Sequence, residues 1–314
     1  MRYLKQTYYL TTTTILVLFL TLACSKNDSD TENLNEENPI DIIDQEEATN
    51  QDPEPEQEEA NYILPNIDLS NWKVTLPIGK PTEVHPPEIL NYATNETLKP
   101  FFYNDSVNGA LVFHTYPSAS TANSSYSRTE LRELMNPEDR GKTNWTFKDG
   151  GNMKGKLQME AISKDSENKY HRTIIMQIHG RLTDAQRDLI GEDDNNAPPI
   201  LKIYWNKGYV RVKTKVLKNI NATETEMLHT SAWGDDDGFT FKKYVGFEPF
   251  ELEVNVEEGK MEVILNNNEK IIYNDEHIQK WGIFENYFKA GNYLATKDEG
   301  AYATLKYYEL EVSH

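Results

Sequence analysis

The sequence predicts an all-β protein, an antiparallel β-sandwich of the jelly-roll kind, over the stretch from Ile63 to His314. Three observations carry this expectation. Short segments with a two-residue apolar period recur along the chain. Turn signals such as Asn206-Lys207-Gly208 and Glu257-Glu258-Gly259 separate them. Long helical periodicity is scarce. A stretch of roughly 250 residues suits one large domain, because sandwiches of this size are common.

What precedes the domain has a different character. Arg2 and Lys5 give the N-terminus positive charge, and Thr12–Ala23 is an apolar run. The run is shorter than the roughly 20 apolar residues that a spanning helix needs, so residues 1–23 read as a signal peptide. Thr21-Leu22-Ala23-Cys24 resembles a bacterial lipoprotein processing site, at which Cys24 becomes lipidated and begins the mature chain. That resemblance implies an exported, outer-membrane lipoprotein exposed at the cell surface, touching the membrane only through its lipid. Cys24 is the single cysteine, so the domain has no internal disulfide, no thiolate nucleophile and no cysteine metal site. Residues 24–62 read as a disordered acidic tether. Within it Ser25–Tyr62 holds 14 acids against one lysine, too few apolar groups to offset chain entropy. Most of the net charge of −19 sits there. The domain itself is moderately acidic, which argues against a nucleic-acid partner. A monomer is expected.

Within the domain the alternating segments are Trp72–Leu76, Ala110–Thr115, Lys156–Ile162, Tyr170–His179, Ile200–Trp205 and Tyr209–Leu217, then Phe250–Val256, Met261–Leu265, Lys270–Tyr273 and Ala303–Val312. Asp184–Ile190 is the best short helix, inside a polar connection. No internal repeat and no phosphate-cradling glycine loop is present. In Tyr170–His179, Ile174, Met176 and Ile178 would face the core. His171, Thr173, Ile175, Gln177 and His179 would share the other face.

Three clusters hold chemistry-bearing side chains. In Ser127–Leu134, a strand puts Arg128, Glu130 and Arg132 on one face. Two guanidiniums around a carboxylate suit anion recognition, and equally a surface ion-pair ladder. Gln177 and His179 are the second cluster, either a site or a solvated exterior. The third is Tyr287–Tyr293, which in extended form aligns Tyr287, Lys289, Gly291 and Tyr293. A strand glycine marks close approach of a ligand or of backbone. The clusters contain no pair of catalytic carboxylates, no metal-ligand spacing and no nucleophile elbow. Glu130 is better explained as the partner of its arginines. Two further alternating runs, Leu201–Asn206 and Tyr209–Lys215, offer Lys202, Arg211, Lys213 and Lys215 as a cationic track if their polar faces line a groove.

Together R-T-E-L-R (Arg128–Arg132), Q-I-H (Gln177–His179) and Y-F-K-A-G-N-Y (Tyr287–Tyr293) resemble the three signature blocks of alginate lyases of polysaccharide lyase family 7. Asn71–Pro77 resembles that family's opening strand, and Pro198–Lys202 a further block. The resemblance runs from Ile67 to Val312. One departure is Ala295, where many members carry glutamine two places after the last tyrosine.

The resemblance implies a jelly roll whose concave sheet forms a groove for alginate, with no cofactor and no metal. The implied reaction is β-elimination: the C5 proton leaves, the C4–O bond breaks, and a C4=C5 double bond forms. Groups that neutralise the uronate carboxylate stabilise the developing dianion more than the ground state. By resemblance Arg128 or Arg132 with Gln177 does this. Tyr293 protonates the leaving oxygen and also serves as base, with His179 as base or neutraliser. Cations such as Arg132 and Lys289 beside the Tyr293 phenol would favour its charged form. Glu130, Lys202, Arg211, Tyr287, Lys289 and Asn292 are the expected substrate contacts. The Q-I-H form of the middle block leans to guluronate-containing substrates. Leu182–Pro199 is a candidate groove wall. Two other readings are a non-catalytic alginate-binding module, which would not need Tyr293 and His179 together, and a sandwich-fold glycoside hydrolase, which needs two carboxylates about 5–10 Å apart.

Overall fold

The computed structural model describes residues 63–314. The expected signal segment, Cys24 and the acidic stretch lie outside the described residues. Six strands come first: β1 (Asn66–Ile67), β2 (Trp72–Leu76), β3 (Thr82–Val84), β4 (Phe102–Asp105), β5 (Ala110–Thr115) and β6 (Arg128–Glu133). Next are β7 (Trp145–Thr146), β8 (Gly151–Ile162), β9 (Arg172–Arg181), β10 (Asn196–Asn206), β11 (Tyr209–Leu217) and β12 (Trp233–Asp235). The chain closes with β13 (Phe239–Tyr244), β14 (Phe250–Glu257), β15 (Lys260–Leu265), β16 (Glu269–Tyr273), β17 (Glu285–Leu294) and β18 (Ala303–Ser313).

These strands form two sheets. The eight-stranded sheet runs β16-β15-β14-β8-β18-β5-β4, with β1 beside β18. The ten-stranded sheet runs β12-β11-β10-β9-β17-β6-β2-β3, with β13 on β11 and β7 on β17. The short β1 runs parallel to β18, an exception to the antiparallel pairing. The expected sandwich is therefore present. β4 and β13 escape the alternation pattern because their burial does not alternate; in β13 only Phe241 is buried.

The core lies between the sheets and is built from the apolar phase of each strand. Trp72, Val74 and Leu76 of β2, Phe113 of β5, Met159 of β8 and Phe288 of β17 are all buried in one cluster. Tyr307 of β18 joins the sheets by donating its hydroxyl to the Ile175 carbonyl at 2.6 Å. A buried tyrosine needs such a partner, since an unsatisfied hydroxyl in an apolar core is costly.

The middle of β9 departs from simple alternation. Met176 pairs with Ile203 and Ala290, but the next pairings are Ile174 with Tyr204 and Ile174 with Tyr293. Both neighbouring strands shift register at Ile175, so a bulge inverts the phase there. Met176 and Ile178 face the core as expected. Ile175 joins them, and Ile174 does not belong to the core cluster. Ile174 instead shares the outer face with its partner Tyr293. The sequence-based placing of these two isoleucines is thus reversed.

The helix Asp184–Ile190 forms as expected. Thr183 and Gln186 make a reciprocal capping box, and Gly191 ends the helix in the left-handed region.

At one end of the sandwich His314, just past β18, reaches across to β6. Its Nε2 lies 2.6 Å from Glu133 Oε1 and its Nδ1 lies 3.1 Å from the Gly150 carbonyl. Glu133 Oε2 also accepts from Trp145 Nε1 and the Phe288 amide. Burial opposes charge on His314, but Glu133 outweighs it and holds the imidazole above its ordinary range. A raised histidine contributes stability that is fully present below the unfolded value near 6.5 and is lost as pH rises through the folded value. His314→Ala should therefore lower unfolding free energy by about 1–3 kcal/mol near pH 6. Urea titrations at a series of pH values should show the deficit shrinking as pH rises; a deficit independent of pH would contradict the ion pair.

Candidate active site

The outer face of the ten-stranded sheet carries all three sequence clusters, because β9, β17 and β6 are neighbours in it. Tyr287 pairs with His179, Lys289 with Gln177 and with Arg132, and Tyr293 with Arg128. Residues more than a hundred positions apart thus share one surface. A cavity of about 300 Å³ lies over it, lined by Arg128, Arg132, His179, Tyr287 and Lys289 among others.

The centre of this surface is Glu130, 1% exposed. Its carboxylate pairs with Lys289 Nζ, accepts from Arg128 Nη1 at 3.2 Å, and accepts from Gln177 Nε2 at 2.5 Å. Burial pushes this carboxyl up, yet Lys289, Arg128 and the Gln177 amide together hold it below the usual range. Burial and the Arg128 charge lower the Lys289 amine to about 8, against the pull of Glu130. One buried carboxylate thereby fixes a side chain from each of three strands.

Glu130 does not pair with both arginines as the sequence suggests. Arg132 turns away and donates to the Glu133 and Gly141 carbonyls at 2.7 and 2.9 Å and to Asn144 Oδ1 at 2.7 Å. Gly141, at φ +95, leaves room for this; a Cβ there would sit 2.1 Å from the guanidinium. The Arg132 plane covers Tyr287, 4.1 Å from the ring centroid. The His179 ring stacks on the same tyrosine at 5.2 Å and 11°. Arg132 is therefore not the cation beside Tyr293. Arg128 is, with its guanidinium 4.1 Å from the Tyr293 centroid. The Tyr293 hydroxyl lies 2.6 Å from Ser124 Oγ, which also receives Arg128 Nη2. Arg128 Nε is buried with no hydrogen-bond partner among the described residues.

His179 lies at the cavity wall. Its Nδ1 is 2.9 Å from the Gly180 carbonyl. A carbonyl only accepts, so Nδ1 carries the proton and Nε2 keeps its lone pair. Burial, reinforced by Lys289, lowers this imidazole to about 3, so it is neutral at physiological pH.

The remaining expected contacts divide. Asn292 is fully buried on the inter-sheet side. Its amide donates to the Phe113 and Ala303 carbonyls and accepts from Thr173 Oγ1, so it braces the strand and is closed to the groove. Gly291, at φ +138, meets backbone and not ligand: a Cβ would sit 2.7 Å from the Thr129 carbonyl. Lys202 faces the groove, in register with Gln177, but Asp235 holds it with both oxygens at 3.1 Å. Arg211 donates to Thr240 Oγ1 and the Asp237 carbonyl. The expected cationic track on β10 and β11 is thus folded onto the protein's own acidic loop. Leu182–Pro199 does supply wall: Asn196 lines the cavity, and Asp194 accepts from Asn123 Nδ2 at 2.9 Å, joining two loops.

Three groups in the site are not singled out by the sequence reading. Lys73 lies in register with Arg132, and its alternation with the buried Trp72 and Val74 would have revealed its face. Ser124 and Asn123 come from the loop after β5 and carry no local signal. Among the described residues no group of three His, Cys, Asp or Glu side chains could hold a metal ion.

Such a surface can grip an extended polyanion and exchange protons beside it. The alginate lyase family model matches residues 67–314, and the chain belongs to that family of polysaccharide lyases. The alginate lyase A1-II′, a member of polysaccharide lyase family 7, is 30% identical, with 79% of this chain and 96% of that one covered and a TM-score of 0.61. A tyrosine-to-phenylalanine variant of A1-II′ solved with product (GGG) is 28% identical over 79% of this chain and 97% of that one, TM-score 0.62. An alginate lyase from Pseudomonas aeruginosa, 23% identical over 79% of this chain and 100% of that one, shares the fold at a TM-score of 0.58. No curated protein matches the chain.

Removing one partner of a buried ion pair leaves the other charge uncompensated, at a cost of about 3–5 kcal/mol. Glu130→Ala should lose stability on that scale and most of its activity. Denaturant unfolding checks this, and a cost below about 1 kcal/mol would deny Glu130 its central place.

Proposed function

We propose that this alginate lyase cuts its polymer at Tyr293, with Arg128 and Gln177 neutralising the uronate carboxylate and His179 opposite. The observation that carries this reading is the joint placement of the Tyr293 hydroxyl, the Arg128 guanidinium and the Ser124 hydroxyl. Tyr293 delivers a proton to the oxygen leaving C4 while His179 Nε2 takes the C5 proton and the C4=C5 double bond forms. Arg128 serves the carboxylate better than Arg132, whose donors are committed to the Gly141 loop. Its field acts where charge develops, in a partly dry site.

By itself His179 is a weak base, since burial and Lys289 disfavour its charged form. A uronate carboxylate docking beside it reverses the local sign and makes Nε2 more basic. The base thus strengthens when substrate arrives. The lone pair that this tautomer leaves on Nε2 supports this role, as does the stack on Tyr287, which holds the ring.

Tyr293→Phe should cut formation of UV-absorbing unsaturated products by about three orders of magnitude, with polymer binding and fold retained. Near-normal activity would remove Tyr293 from the chemistry. Polymer binding without elimination by the unaltered protein would favour the binding-module reading instead.

The finer preference is for guluronate-containing polymer. Support comes from the Q-I-H block; Ile178 is fully buried, so its influence passes through the placing of Gln177 and His179. Initial rates should be higher on poly-guluronate than on poly-mannuronate, and the reverse order would overturn the preference. At the other end of the chain, Cys24 is proposed as a lipidated residue that anchors a monomeric enzyme at the outer cell surface. Cys24→Ser should move the protein from the membrane to the soluble fraction; unchanged fractionation would rule the anchor out.

A further inference from the structure

Strand register places six side chains in one line across the sheet. Lys73 is opposite Arg132, Arg132 opposite Lys289, Lys289 opposite Gln177, Gln177 opposite Lys202, and Lys202 opposite Lys213. The cavity itself runs across the strands, from Lys73 and Glu83 on β2 and β3 to His179 and Asn196 on β9 and β10. A polymer following it lies along this line.

The line is not uniformly open to an anion. In its centre Arg128 and Lys289 share a single carboxylate, Glu130, while Arg132 bonds no carboxylate among the described residues and donates to the Glu133 and Gly141 carbonyls and to Asn144. Towards each end a lysine is already clamped by both oxygens of a carboxylate. Glu83 holds Lys73 at 2.7 Å from each oxygen. Asp235 holds Lys202 at 3.1 Å from each and also reaches Lys215 at 2.6 Å. Both acids are partly exposed, with side chains 44% and 35% accessible. A sugar carboxylate approaching either lysine would meet one of these acids already in place.

We propose that Glu83 and Asp235 are specificity-determining residues that cap the two ends of the cationic line. Glu83 satisfies Lys73 at one end and Asp235 satisfies Lys202, one place in from Lys213 at the other, and each repels a sugar carboxylate approaching its lysine. Only the centre then grips the polymer electrostatically, so the stretch held tightly is short. The cap also lets cleaved ends leave, because product carboxylates are not retained at the edges. This inference rests on the polymer lying over the site described above.

Glu83→Gln and Asp235→Asn keep size and a hydrogen-bond acceptor for each lysine while removing the charge. In low salt each should lower KM on long polymer about two- to fivefold, the factor corresponding to one partly exposed ion pair. Turnover of a short oligomer should stay within about twofold, a split that a merely structural role does not produce. Early products on polymer should lengthen, and the KM gain should vanish in about 1 M salt, where charges are screened within roughly 3 Å. Unchanged or raised KM in both variants, with unfolding midpoints matching the unaltered protein, overturns the proposal. So does a gain that persists in high salt. If instead Tyr293→Phe remains active, it is the site reading that fails, and the two failures are told apart.

Discussion

The buried carboxylate of Glu130 is the constraint on which the rest of the site depends. An ionised acid with 1% exposure is sustainable only if every oxygen is occupied. Lys289, Arg128 and Gln177 occupy them, one from β17, one from β6 and one from β9. The same contacts therefore settle three matters together. They hold the strands' polar faces in common register, they set Arg128 against Tyr293, and they hold Lys289 beside His179, where its charge helps keep that imidazole neutral.

Around this centre the protein resolves a conflict between net and local charge. The chain is acidic, at −19, yet the groove centre carries more cations than acids. Short-range geometry decides binding there, because exposed charges beyond about 10 Å are largely screened at ordinary ionic strength. The acids near the groove are spent on particular lysines, as with Glu83 on Lys73 and Asp235 on Lys202. Rigidity comes from elsewhere. Asn292 ties β17 to both sheets, and Tyr307 bridges to the bulge at Ile175. That bulge brings Ile174 to the outer face beside Tyr293, which alternation alone would have turned inward.

Much of this was legible in the chain. Two-residue periodicity is a local property of backbone geometry, so the strands around Trp72, Phe113, Met176 and Val254 could be read directly. The three polar clusters could be read as well, since each is contiguous and each lies on the expected face. What misled was any inference across the bulge, where one extra residue inverts the phase, and any inference about pairing between charged groups. Arg132 is two residues from Glu130 yet bonds the Gly141 loop. Asn292 looks like a groove amide and is a buried brace. Lys202 and Arg211 lie on the same sheet face as Gln177, but Asp235 and the Asp237 carbonyl take up their charges.

By itself, then, the sequence determined the strand-rich domain, the polar face of each motif strand and the family whose blocks those strands carry. These follow from periodicity and contiguous motifs, which need no knowledge of distant neighbours. Only the tertiary structure decided which cation serves which anion. It placed Arg128 and not Arg132 at Tyr293, gave Glu130 to Lys289, and set Ser124 against a tyrosine 169 positions away. The physical reason is that charge pairing depends on distances of a few ångströms between strands, and strand order across a sandwich is decided by the packing of the whole core.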